Sequence, residues 1–136
     1  MKHTRTLRRA TVVLAAAVTL GLGTTTTHAD PGIPNVGYGY PNGKSVACVQ
    51  FFINNYLGMR LDEDGKFGPK TEAGVRALQE YSNRNWATQL LTVDGVFGKA
   101  TGEVVLNHIK QYPWSIDYAR AWSCSHSVPS YSVVLN

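Results

Sequence analysis

Asp64-Gly65-Lys66-Phe67-Gly68-Pro69-Lys70-Thr71 and Asp94-Gly95-Val96-Phe97-Gly98-Lys99-Ala100-Thr101 spell one phrase, D-G-x-F-G-x-x-T, twice in a chain of 136 residues. A leucine precedes each Asp by three (Leu61, Leu91), and a valine follows each Thr by four (Val75, Val105). Agreement at this many positions in register reads as an internal duplication. Asp-Gly is a turn pair, because the carboxylate can accept from nearby backbone amides and Gly takes positive φ at little cost. The Phe between two glycines reads as a buried anchor. Gly68 and Gly98 then lead into a helix, and Pro69 suits a first helical position that needs no amide bond. Thr71 and Thr101 fall in the first turn, where a hydroxyl can satisfy a loose backbone amide.

Asp-rich turns with Gly also bind calcium, so that reading has to be tested. With Gly65 at position 6 of a calcium loop, Asp62 and Asp64 fall at 3 and 5, but Arg60 stands at 1 and Thr71 at 12. With Gly95 at position 6, the ends are Leu90 and Thr101. Neither loop has oxygen ligands where such a site begins and an acid where it ends. No metal and no cofactor is expected.

Outward from the repeat, residues 1–29 read as a secretory signal peptide. Lys2, Arg5, Arg8 and Arg9 form a basic start, an apolar run covers 10–22, and small residues lead to Thr27-His28-Ala29 before Asp30. The run is too short for a membrane span, so no stable insertion is expected once it is removed. That segment carries four of the 13 Lys+Arg and none of the 9 Asp+Glu, which leaves an exported part of zero formal charge in place of +4. A basic field for nucleic acid is therefore not expected. Cys48 and Cys124 are an even pair in an exported chain and read as a disulfide. It would close a loop of about 75 residues, worth ~4 kcal/mol by chain entropy.

Residues 30–45, rich in Gly and Pro, read as an extended, loosely ordered arm carrying Tyr38 and Tyr40. Val46, Val49, Ile53 and Leu57 recur at helical spacing, with Gly58 as the stop. A second helix is expected from Pro69 to about Tyr81, then a polar connection over 82–89, then a third helix from Lys99 to about Tyr112, ended by Pro113. The expected architecture is all-α, a three-helix bundle over 46–112 with an internal pseudo-repeat. A disulfide-tied C-terminal extension over 113–136 follows, with room for a short helix from Ser115 to Trp122.

Three runs carry a resemblance: Val49 to Leu57, Asp64 to Gln79 (ending Val75-Arg76-Ala77-Leu78-Gln79), and Val93 to Thr101. Together they resemble the peptidoglycan-binding domain found beside bacterial cell-wall hydrolases, over about residues 45–110. The resemblance implies a three-helix fold with a pseudo-repeat and a non-catalytic role in holding a protein on the wall. In this chain His108 stands where the repeat puts Leu78, and the 82–89 connection is longer than the pattern.

The ligand then implied is peptidoglycan, a polar polymer of sugars, amides and carboxylates. Gln79, Tyr81, Asn83, Arg84 and Trp86 follow the second helix's core residues and are the candidate ligand-binding groups. Trp86 would stack on a sugar face and Arg84 would clamp a carboxylate. Asp64, Gly65, Phe67, Gly68 and Thr71, with Asp94, Gly95, Phe97, Gly98 and Thr101, read as structural. No enzyme is expected. His108 and His126 lack zinc-site spacing, and Glu63, Glu72, Glu80 and Glu103 lie on a domain too small to enclose a glycosidase cleft. The alternative is a secreted module that binds another exported protein through the extension.

Overall fold

The computed structural model describes residues 32–86, 90–131 and 135. The expected signal peptide lies outside the described residues, as does part of the 82–89 connection. The chain is helical: α1 is Lys44–Leu57, α2 Pro69–Asn85, α3 Lys99–Gln111 and α4 Tyr118–Ser125, with a 3-10 turn at Pro113–Ser115 before α4. Cys48 and Cys124 are bonded, with Cα atoms 5.4 Å apart.

Three bundle helices and room for a short one from Ser115 to Trp122 are expected from the sequence, and four helices are present among the described residues, the fourth at Tyr118–Ser125. The fourth begins where Asp117 accepts from the Arg120 amide, an N-cap that fixes its start two residues after the 3-10 turn. It belongs to the same core as the others. Ala121, Cys124, Val128 and Leu135 are buried, so the extension supplies packing as well as a cysteine. Arg120 lies over the Phe51 ring and pairs with Glu63, which joins α4 to α1 and to the loop that follows it.

α1 is the central helix. Val46, Cys48, Val49, Gln50, Phe51, Phe52 and Ile53 are all buried, which leaves its middle without a solvent face. The apolar spacing predicts a single inward stripe ending at Leu57. Instead Phe51 and Cys48 face α4, and Leu57 is half-buried. α2 and α4 pack on α1, and α3 packs on α2 and α4. α2 is longer than expected and runs to Asn85, with Ser82 fully buried. Part of the expected polar connection is therefore helix.

The arm is not loose. Val36 is fully buried and pairs with Phe97 as an antiparallel bridge, N–H to O at 3.0 and 2.8 Å. Further on, the Gly43 amide donates to the Gly65 carbonyl at 2.9 Å. One short segment thus ties both repeated loops. Tyr40 packs on the core, whereas Tyr38 is exposed. Phe97 is fully buried and stacks on Phe52 at 6.2 Å, and Phe67 is buried as well.

Candidate functional site

Each D-G-x-F-G-x-x-T loop is held by two side chains of the preceding helix. In the first, Gln50 donates to Asp64 Oδ1, to the Lys66 carbonyl and to Thr71 Oγ1 at 3.1–3.2 Å, and its own oxygen accepts from the Gly65 amide. In the second, Gln79 donates to Asp94 Oδ1, the Val96 carbonyl and Thr101 Oγ1, and accepts from the Asp94 and Gly95 amides. One turn on, Asn54 brackets both backbone groups of Leu61, and Asn83 does the same for Leu91. Gly65 and Gly95 adopt φ of 72° and 74°, the left-handed conformation the turns require. Asp64 and Asp94 each accept from the amide two residues on.

This arrangement reassigns two of the five candidate ligand residues. Gln79 is 1% exposed and spends its amide on the second loop, so it has no face to offer a ligand. Asn83 is half-buried and engaged with Leu91. The threonine hydroxyls meet the glutamine amides, where the sequence reading expects a loose backbone amide.

Tyr81 and Trp86 do come together, with ring centroids 5.2 Å apart, and they belong to a longer strip. Trp86 meets Tyr56 edge-on at 4.5 Å and stacks on His108 at 4.1 Å and 12°. His108 meets Tyr112 at 5.0 Å, and Tyr112 meets Trp114 at 5.8 Å. The rings come from the C-terminal ends of α1, α2 and α3 and from the 3-10 turn, so the bundle gathers them at one end. His108 covers a face of Trp86, and Trp114 is the open ring, 79% exposed. Arg84 is exposed on the last turn of α2, inside the helix and not beyond it.

Burial pushes the His108 imidazole below its ordinary value and the Tyr56 hydroxyl above its own. The Lys66 amide and then the Gln50 side chain hold the Asp64 carboxyl below the usual carboxylate range. Among the described residues no group of three or more His, Cys, Asp or Glu is placed to hold a metal, and no helix is long and apolar enough to cross a membrane.

Sequence reasoning missed Tyr56, His108, Tyr112 and Trp114 as members of the strip. The available signal was the density of rings after the third helix, with His108 and Tyr112 one turn apart. Beside each loop lies a concave space: about 450 Å³ at the first, lined by Gln50, Asp62, Asp64, Lys66, Lys70 and Thr71 among others. At the second it is about 460 Å³, lined by Gln79, Thr92, Asp94, Val96, Lys99, Ala100 and Thr101 among others, with Asn35 and Tyr131. Both volumes are in the range of small-molecule sites.

Compared with family models, with curated proteins and with solved structures, the chain matches none of them.

Proposed function

We propose that the chain is an exported protein that binds peptidoglycan without altering it. The observation that carries this reading is the ring strip from Tyr81 through Trp86, His108 and Tyr112 to the open indole of Trp114. Sugar rings present apolar C–H faces to an aromatic plane while their hydroxyls stay in water, so a row of rings at the protein surface suits a glycan strand. Arg84, exposed near the same end of α2, supplies a guanidinium for a carboxylate. The resemblance of the D-G-x-F-G-x-x-T runs to peptidoglycan-binding domains supports the same ligand. We read the two loops, each with its Gln and Asn, as copies of one unit in a pseudo-repeated bundle.

The test is co-sedimentation with purified insoluble wall at low and high salt, with the supernatant analysed for released fragments. The wild-type protein is expected in the pellet at both salts, because a formally neutral exported part relies on local groups and not on a long-range field. Replacing Trp114 and Arg84 together by Ala should lower retention severalfold while the helical circular-dichroism spectrum and melting temperature persist, since both side chains are exposed. Fragments above a no-protein control would make the protein a hydrolase. Absence from the pellet at both salts would favour the secreted protein-binding module, for which Trp114, Trp122 and Tyr131 are exposed rings.

A further inference from the structure

The concave spaces beside the two loops share one frame and differ in charge. Gln50, Leu61, Asp64, Gly68 and Thr71 of the first correspond to Gln79, Leu91, Asp94, Gly98 and Thr101 of the second. Between these shared positions, Asp62, Lys66 and Lys70 of the first are replaced by Thr92, Val96 and Ala100. The first space thus has two carboxylates and two ammonium groups on its wall. The second keeps Asp94 and has Lys99 where the first has Pro69, so it carries one charge of each sign, with Asn35 from the arm and Tyr131 from the tail.

We propose that the first space is a binding site for a short peptide with both ends free, its carboxylate meeting Lys66 and Lys70 and its ammonium meeting Asp62 and Asp64. A wall of mixed sign selects a ligand that carries both signs. A sugar or a capped peptide gains nothing from it, and a simple anion meets Asp64 along with the lysines. Asp64 is held in place, because Gln50 and the Lys66 amide both bond its Oδ1. Its lowered pKa keeps it anionic well into the acid range. Exposed charge pairs are individually weak, so the site is a low-affinity one whose selectivity comes from having two signs at once. The second space, with one charge of each sign against two of each in the first, takes this ligand more weakly. The proposal rests on the wall-binding reading only for the source of the peptide, since wall stem peptides carry free carboxylates and amines.

The full exported chain, labelled with ¹⁵N, is titrated with alanyl-alanine and, separately, with N-acetyl-alanyl-alanine amide. Free dipeptide is expected to shift amides within 61–71 at lower concentrations than amides within 91–101, and the capped form to shift neither. Lys66→Val with Lys70→Ala should weaken the dipeptide about tenfold. It brings in residues that the second loop already holds in the same frame, so the fold should tolerate it. Asp62→Thr serves the same purpose if that pair misfolds. Equal response to the capped peptide, equal shifts in both loops, or no shift at tens of millimolar dipeptide would overturn the proposal. Pelleting with the wall alongside any of these results would leave wall binding standing by itself. Dipeptide shifts without pelleting would support the site and remove the wall as its source.

Discussion

Gln50 and Gln79 do for the two loops what neither loop can do alone, since each satisfies donors and acceptors on both sides of a turn that has no helix or strand to complete its hydrogen bonding. Gln79→Leu should therefore cost about 3 kcal/mol, as the buried Gly95 amide and the Val96 carbonyl lose their partner. Gln79→Glu should cost more at neutral pH, because a carboxylate cannot donate to Asp94 and repels it. Urea melts of both variants check the order, and a neutral Gln79→Leu would refute the assignment. The sequence reading took Gln79 for a ligand group and passed over Gln50, so it did not find their shared role, for a reason visible in the numbering. Gln50 lies 14 residues before Asp64, whereas Gln79 lies 15 before Asp94. The loops match at a fixed offset, but the helices before them are out by one. Laid on the loop register, Gln50 falls on Glu80 and Asn54 on Arg84. The extra residue falls between Asn83 and Leu91, separated by 8 where Asn54 and Leu61 are separated by 7. Asp-Gly turns were legible because their chemistry spans two residues. His108 gives a second prediction at this scale. Its folded pKa is below the ordinary 6.5, so between those two values the unfolded chain binds the proton and the folded one does not. Stability should thus fall as pH drops below 6.5, and the loss should level off once the folded imidazole also protonates. Thermal melts from pH 7.5 to 5 should show this slope in the wild type and less of it in His108→Leu.

Among the elements, the helices were legible in position, the short fourth one only as a possibility, but not in role. Periodicity located α1, α2 and α3 to within a few residues, since apolar spacing is set locally. It gave no sign that the middle of α1 is covered on all sides, because that depends on α4 and on the disulfide that draws it in. The arm misled for a related reason. Gly and Pro mark the lack of helix, not the lack of order, and Val36 is ordered by Phe97 at a distance no local rule sees. The tail is fitted against α3 at Gly102, where an added Cβ would lie 1.8 Å from the Pro129 carbonyl oxygen. Glu103 beside it accepts from Ser130 Oγ and the Tyr131 amide. Alanine is the better helix former by roughly 1 kcal/mol, yet Gly102→Ala should destabilise by about 1–3 kcal/mol, because the tail must move. Amide exchange at Tyr131 should accelerate in the variant. A raised melting temperature with unchanged exchange would mean that the tail does not rest there.

For the whole molecule, the expected export and the even cysteine count were enough to predict the disulfide, whereas the sequence reading picked out only Tyr81 and Trp86 of the ring strip. Its members come from four elements and meet only when the helices end together. The Cys48–Cys124 bond has a mechanical consequence for a protein pulled by its ends. It spans a sequence separation of 76 residues with a link 5.4 Å across. Tension therefore bypasses most of α1, the whole of α2 and α3, and nearly all of α4, and roughly 260 Å of contour stays shut behind that link. Only the arm, the first turn of α1 and the tail carry load. Force-extension curves should show about 90 Å released from residues 32–48 and 124–135. The Val36–Phe97 pair would be among the first to part, and a stiff limit would follow. Reducing agent should add the hidden length as a second, later event, and the same curves with and without it decide the point. Under tension the molecule behaves as a closed shackle with two short leads, and its loops and ring strip sit where stretching does not reach.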